Sequence, residues 1–194
     1  MKVRMVRFRG GFGLKPLVPV PSAALSETVT GLAGLVFEKE NSEQSFGMKI
    51  HELKFNVDGS SRGKQGPAGI GDVLRNSDGK ICCLFSYHVG IEESNTTEIR
   101  AIHKALELCA SRSILVDKDI IIASDSMVAV SWVNNSGDFG SLKHVKLIYD
   151  IRDLLKLLRR TSVVFNPRHT NAFADDLAKK GSQNLGDRLV WGDL

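Results

Sequence analysis

The feature that most constrains the fold is a change of hydrophobic period along the chain after residue 52. From Leu53 to Asp58, apolar and polar residues alternate, which predicts a half-buried strand. From Ile99 to Cys109, the apolar residues recur every three or four positions, which predicts an amphipathic helix. A chain that changes from the first period to the second is expected to build a sheet that is covered by helices.

Turn residues and helix caps divide the same region into further elements. Strands are predicted at Leu53–Asp58, Ala68–Leu74, Lys80–Val89, Asp119–Ser124 and Thr161–Phe165. Helices are predicted from Asn95 or Thr96 to Cys109, and over Ser126–Asn134, Ser141–Leu158 and Ala172–Lys180. This order predicts an α/β fold: a five-stranded mixed sheet of three antiparallel strands followed by two parallel strands, with helices on both faces.

The first 50 residues differ from the rest of the chain. The segment begins with five basic residues, from Lys2 to Lys15, and contains no acidic residue before Glu27. Glycines and prolines interrupt any long helix in it. We interpret this segment as a leader or as the remnant of a larger protein. An organelle transit peptide, which is also rich in arginine and poor in acidic residues, is the alternative. The predicted division is a leader over residues 1–50, a folded domain over 51–182 and a tail over 183–194.

Composition limits the class of protein. Hydrophobic residues make up 42% of the chain and charged residues 25%, which is ordinary for a globular protein. No apolar run is long enough to span a membrane, so we expect no membrane partner, and we expect a monomer. The cysteines are odd in number and two are adjacent, which favours reduced thiols in an intracellular compartment. Serine is scarce before Ser22 and no clean amphipathic helix appears there, which favours the nucleus or cytoplasm over an organelle. The net charge of +4 suits a polyanionic partner without identifying one.

Two acidic residues follow strands that are predicted to pair. Asp58 ends the first strand and Asp125 directly follows the fourth. Because the carboxyl ends of parallel strands meet at one edge of a sheet, we expect these two side chains to be neighbours. Glu98, in the first turn of the helix after the third strand, and Asp175, in the last helix, lie at the borders of buried stripes.

Four carboxylates that are brought together repel one another and raise one another's pKa values. A hard divalent cation removes this conflict, because Mg²⁺ binds carboxylate and water oxygens. Two such ions about 3.5–4 Å apart suit an in-line displacement at a phosphate. Each acid taken alone has another interpretation as a turn, cap or first-turn residue. The agreement of all four with the predicted order of elements favours a metal site.

The residues around these acids resemble the motifs of the ribonuclease H family, in particular the plant-type domains of reverse-transcriptase-like proteins and non-LTR retroelements. The matching segments, which span most of residues 53–182 in the family's order, are Phe55–Ser60, Gly69–Gly71, Asn95–Glu98, Ser124–Ser126 and Asn171–Ala178. The resemblance implies a plant, retrotransposon-derived endonuclease that cleaves the RNA strand of RNA–DNA hybrids.

The resemblance also implies roles for individual residues. The implied catalytic and metal-binding residues, which would hold two Mg²⁺ ions with Mn²⁺ as an alternative, are Asp58, Glu98, Asp125 and Asp175. Asp58 would bridge the ions, Glu98 and Asp125 would complete one site, and Asp175 would complete the other. The implied contacts to the RNA–DNA hybrid are Gly59, Ser60, Asn95 and Ser126. Asn95 has a second interpretation as a helix cap.

Several positions depart from the family pattern. Phe165 stands where many members carry a histidine, and His169 is the auxiliary residue that would partly replace it. Asp72 stands where glycine is usual, and Asp176 adds a carboxylate beside Asp175. These departures support a second hypothesis, a catalytically weak or inactive nucleic-acid-binding module with the ribonuclease H fold. A nuclease of the same fold that acts on structured DNA or on 3′ ends is a third.

Overall fold

The computed structural model describes residues 52–135 and 141–194. The leader predicted over residues 1–50 lies outside these residues, so the division into domains stays a prediction. The strands are β1 (Glu52–Ser61), β2 (Gly66–Arg75), β3 (Ile81–Glu92), β4 (Asp119–Ser124), β5 (Thr161–Phe165) and β6 (Arg188–Trp191). The helices are α1 (Ser94–Ser111), α2 (Ser113–Val116), α3 (Met127–Asn134), α4 (Leu142–Leu157) and α5 (Ala172–Ser182), with a 3₁₀ turn at Arg168–Thr170.

The strands form one mixed sheet in the order β5-β4-β1-β2-β3-β6. β1, β2 and β3 are antiparallel, whereas β4 and β5 continue from β1 as parallel strands. The prediction of an α/β fold with three antiparallel strands followed by two parallel strands is therefore confirmed. In the described part of the chain, no helix is long and apolar enough to cross a membrane.

The predicted number of five strands is wrong, because β6 adds a sixth strand at the edge of the sheet. β6 lies in the segment that the sequence assigned to a tail, and it pairs antiparallel with β3. It spans four residues, too short for an alternating pattern to reveal it. The guanidinium carbon of Arg112 lies 3.7 Å from the centroid of the Trp191 ring, a cation–π contact that fastens β6 to the end of α1.

Helices cover both faces of β1 and β2, and glycines allow their close approach. A Cβ at Gly59 would lie 2.4 Å from the Thr97 carbonyl carbon in α1. A Cβ at Gly71 would lie 2.2 Å from the Ala178 backbone nitrogen in α5. Side chains of α1, α3 and α4 pack with the sheet in a core whose fully buried residues include Phe55, Phe85, Ile99, Ile102, Leu106, Ile120, Ile122, Ile148 and Ile151. This core holds α1 and the strand ends in fixed relative positions.

Candidate metal centre

Three of the predicted carboxylates meet at one edge of the sheet. One carboxylate oxygen from each of Asp58, Glu98 and Asp125 lies within 4.8 Å of the others. The parallel ladder between β1 and β4 ends at the pair Val57↔Ser124, so the next residue of each strand is an acid. The prediction that Asp58 ends its strand is wrong, because β1 continues to Ser61 along β2. Asp58 is instead the first residue of β1 beyond its parallel pairing with β4.

Glu98 reaches the cluster from α1. The helix begins at Ser94, so Glu98 is its fifth residue. The prediction that Glu98 belongs to the first turn is therefore wrong. The contact between Gly59 and the Thr97 backbone brings α1 against β1. At this distance the Gly59 amide donates a hydrogen bond to Glu98 Oε2, at 3.2 Å, which fixes the orientation of the carboxylate. The Gly59 amide, which the family resemblance assigned to the RNA strand, is thus engaged within the protein.

Asp175 lies beside this cluster and outside it. Its carboxylate forms an ion pair with Lys179, one turn later in α5, and Arg168 Nη2 lies 3.8 Å from its Oδ1. Its negative charge nevertheless adds to burial and to the charge of Asp125 in raising the pKa of Asp58. The neighbouring Asp176 is exposed.

Arg168 and Lys179 are charged residues at this edge that sequence reasoning did not identify. Arg168 Nε lies 4.0 Å from Asp125 Oδ2, so its guanidinium stands between Asp125 and Asp175. The spacing of Asp175 and Lys179, four residues apart on a helix, was a readable signal of their pairing. For Arg168, the only indication in the sequence that it lies near these acids is its place in the loop that precedes α5.

Burial and mutual repulsion raise the pKa values of the clustered acids. Burial, followed by the charges of Asp125 and Asp175, raises the pKa of Asp58 from 3.8 to about 7. Burial and the charge of Asp58 raise the pKa of Glu98 well above its usual value. Burial also raises the pKa of Asp125, although Arg168 opposes the change. Near neutral pH the cluster therefore resists holding three negative charges, and a cation would relieve this cost.

Two buried asparagines fix α5 relative to β1. Asn171 is 1% exposed, and its Nδ2 donates to the Val57 carbonyl oxygen at 2.9 Å. Asn56 is 6% exposed, and its Nδ2 donates to the Thr170 carbonyl oxygen, also at 2.9 Å. These bonds attach the start of the helix that carries Asp175 to the strand that carries Asp58.

The remaining predicted contact residues differ in their surroundings. Ser60 is partly buried on β1. Asn95 is exposed as the second residue of α1, so it is not the N-cap, a position that Glu93 occupies. Ser126 caps α3, and its hydroxyl accepts a hydrogen bond from the Ala129 amide at 3.2 Å. His169 is exposed on the 3₁₀ turn.

Asp72 is a buried acid on β2. Its side chain is fully buried on β2, and among the described residues neither carboxylate oxygen has a hydrogen-bond partner. Burial, with a smaller contribution from the charge of Asp58, raises its pKa well above the usual value. Because the folded-state pKa exceeds that of the unfolded chain, Asp72 lowers stability increasingly as the pH rises above the unfolded value of about 4.

We expect Asp72→Asn to raise the free energy of unfolding by about 1–3 kcal/mol near neutral pH, because no charge then has to be neutralised on burial. The gain should shrink toward about pH 4, where the unfolded chain also binds the proton. Urea unfolding at the two pH values measures both. Asp117→Asn, at an exposed aspartate, is the control and should change little. An Asp72→Asn protein that is no more stable than the wild type near neutral pH would contradict this assignment.

Comparison with known proteins gives a consistent result. Residues 56–181 match the family model described as "Reverse transcriptase-like". Ribonuclease HI of Halobacterium salinarum is 32% identical over 134 residues, which cover 69% of this chain and 64% of that protein. The chain thus spans less than two thirds of that relative's length.

Solved structures agree with this comparison. The crystal structure of RNase H1 from Halobacterium salinarum aligns with a TM-score of 0.63 at 29% identity, and covers 69% of this chain and 98% of that one. The crystal structure of LC11-RNase H1 in complex with an RNA/DNA hybrid aligns with a TM-score of 0.63 at 26% identity, and covers 68% of this chain and 97% of that one.

Proposed function

The chain belongs to the reverse-transcriptase-like family and contains a ribonuclease H-type domain; from this premise we propose that it hydrolyses the RNA strand of RNA–DNA hybrids with the help of divalent metal. The observation that carries the proposal is the cluster of Asp58, Glu98 and Asp125, whose oxygens lie within 4.8 Å of one another. Support for the substrate comes from LC11-RNase H1, a similar structure that was solved in complex with an RNA/DNA hybrid.

The donor set fits a hard divalent cation, because it consists of carboxylate oxygens. Burial, followed by mutual repulsion, raises the pKa values of these acids, and a cation would relieve that cost. Asp58, Glu98 and Asp125 would hold one Mg²⁺ or Mn²⁺ ion, and Asp58 with Asp175 a second. When bound, such a pair of ions supplies an activated water and stabilises the leaving oxygen of a phosphoryl displacement.

The protein's own residues prepare this site. The Gly59 amide holds one oxygen of Glu98, so this carboxylate keeps a fixed orientation toward Asp58. Lys179 and Arg168 neutralise Asp175, so a cation that binds there has to compete with both. We therefore propose that the site at Asp175 is the weaker of the two.

Contacts to the hybrid are part of the same proposal. Asn95 is exposed on α1, three residues before Glu98, and is free to reach a nucleic acid that lies over the cluster. Ser60, two residues after Asp58, supplies a hydroxyl that suits the 2′-hydroxyl of RNA. We further propose that Gly59 and Ser126 lie beside the RNA strand.

Three proposals concern the protein as a whole. We propose that it is a monomer, that it acts in the nucleus or cytoplasm, and that it originated in a plant retroelement.

A second candidate function is a nucleic-acid-binding module that cuts slowly or not at all. It is favoured by Phe165, which is 41% exposed at the end of β5, opposite Ser124 in the sheet, where many family members are expected to carry a histidine. His169, the proposed replacement, makes no hydrogen bond or ion pair with a carboxylate among the described residues and lies exposed on its turn.

A comparison of substrates separates these two functions. We expect the wild-type protein to cut the RNA of a labelled RNA–DNA hybrid in Mg²⁺ or Mn²⁺, and to leave double-stranded DNA intact in the same salt. Chelation of the metal and Asp125→Asn should each remove the activity, because both disrupt the same site. Tight binding of the hybrid without cleavage in either metal would support the module instead. Cleavage that survives Asp125→Asn would refute the assigned site.

A further inference from the structure

We propose that His144 is a positioning residue, which holds the amino-terminal turn of α1 through the hydroxyl of Thr96 and so places Glu98 and Asn95. The imidazole is 3% exposed in the first turn of α4. Its Nε2 lies 3.0 Å from Thr96 Oγ1, and its Nδ1 lies 3.4 Å from Ser141 Oγ. The catalytic consequence rests on the proposed nuclease function, whereas the effect on α1 does not.

His144 joins helices that carry different parts of the candidate site. Its ring stacks on Trp132 of α3, with the centroids 5.0 Å apart and an interplanar angle of 29°. α3 directly follows the Asp125 strand end, and α1 carries Glu98. The imidazole therefore sits where α1, α3 and α4 meet. A purely space-filling role would need no polar atoms, yet both ring nitrogens of this buried side chain have hydroxyl partners.

A second side-chain contact joins the start of α1 to α4, at the protein surface. The N-cap residue, Glu93, makes no capping hydrogen bond. Its carboxylate pairs with Lys143 of α4, but both side chains are 46% exposed, and such surface pairs stabilise little. The buried bond between Thr96 and His144 is the stronger connection of this turn to α4.

Consecutive residues of α1 face three different neighbours. Thr96 bonds to His144, the Thr97 backbone lies against Gly59 of β1, and Glu98 enters the carboxylate cluster. The turn is thus held between α4 on one side and β1 on the other. Loss of the α4 contact would let the turn move and would displace Glu98 relative to Asp58. Groups that hydrogen-bond directly to a metal ligand are typically worth about 10–100-fold in metal affinity or activity, and we expect this contact, two residues from Glu98, to lie at the lower end of that range.

The test compares Thr96→Val, which removes the hydroxyl with little change of shape, with Thr96→Ser, which keeps it. Thr161→Val, at a threonine on the far end of β5, is the matched control. Mn²⁺ affinity is measured by calorimetry, amide hydrogen exchange of residues 95–98 is measured in metal-free protein, and kcat and KM are measured with the hybrid.

We expect Thr96→Val to weaken Mn²⁺ binding and to lower kcat, each by about tenfold, and to speed exchange in the first turn of α1. Thr96→Ser should restore all three, and His144→Leu should reproduce the losses. Unchanged exchange and unchanged Mn²⁺ affinity in Thr96→Val would overturn the proposal. If the wild-type protein neither binds Mn²⁺ nor cuts the hybrid, the proposed function fails, and the exchange of residues 95–98 still decides whether His144 holds α1.

Discussion

Asp58→Asn is expected to lower the rate of hybrid cleavage at saturating Mg²⁺ by at least about a thousandfold, or about 4 kcal/mol of activation free energy. The reason is that Asp58 is central to the candidate site. One of its carboxylate oxygens lies within 4.8 Å of oxygens of Glu98 and Asp125, and the charge of Asp175 also acts on its pKa. An asparagine keeps the shape of the side chain and removes its charge. Initial rates on a labelled hybrid measure the loss.

The same substitution should make the metal-free protein more stable. Asp58 is 4% exposed, and its pKa in the folded protein is raised from 3.8 to about 7. At about pH 8 the wild-type protein therefore bears the cost of a buried, repelled charge, which on this shift is of the order of 4 kcal/mol. Urea unfolding in a chelator should show the gain in Asp58→Asn at that pH and little gain near pH 4.

Asp176→Asn is the matched control for both effects. It removes one negative charge from α5 at an exposed position beside Asp175. We expect its cleavage rate and its stability to stay close to those of the wild-type protein, since surface substitutions rarely exceed about 0.5 kcal/mol. If Asp176→Asn were the inactive variant and Asp58→Asn the active one, the cluster would have been assigned to the wrong acids.

Divalent metal is expected to stabilise the protein much more at about pH 8 than at about pH 5. The raised pKa values of Asp58, Glu98 and Asp125 mean that protons compete with the cation at the lower pH. Without metal, stability should fall as the pH rises from about 4 through 7, because folding then has to keep the Asp58 proton or accept its charge. With saturating Mg²⁺ this fall should be largely abolished.

Thermal unfolding with and without Mg²⁺ at the two pH values tests this coupling. Asp58→Asn should remove most of the metal effect, whereas Asp117→Asn, at an exposed aspartate directly after α2, should keep it. An equal shift in Tm at both pH values would show that the metal binds elsewhere on the protein. No shift at either pH would contradict the metal centre itself.

The sequence predicted the sheet well because its signals are local. The alternation that starts at Leu53 and the apolar run before Asp125 each marked a strand, and both strands lie where the predicted order placed them. β6 was missed because four residues carry no periodicity, and because its place in the sheet depends on pairing with β3 and on Arg112.

The candidate site was predictable where the backbone alone brings acids together. The parallel pairing of β1 and β4 makes Asp58 and Asp125 neighbours, and this follows from strand order. The place of Asp175 depends instead on how the start of α5 is attached to β1 by Asn171 and Asn56, through hydrogen bonds between distant parts of the chain that no local pattern encodes. The use of the Gly59 amide by Glu98 depends on a helix–strand distance that only the folded structure gives.

The most direct test of the metal centre is a calorimetric titration of Mn²⁺ into the wild-type protein, Asp58→Asn and Asp176→Asn at about pH 8, where protons compete least. We predict saturable binding to the wild-type protein and to Asp176→Asn, with release of protons, and loss of that binding in Asp58→Asn. Binding that is equal in all three proteins, or absent from the wild-type protein, would contradict the assignment of Asp58, Glu98 and Asp125 as a divalent-metal site.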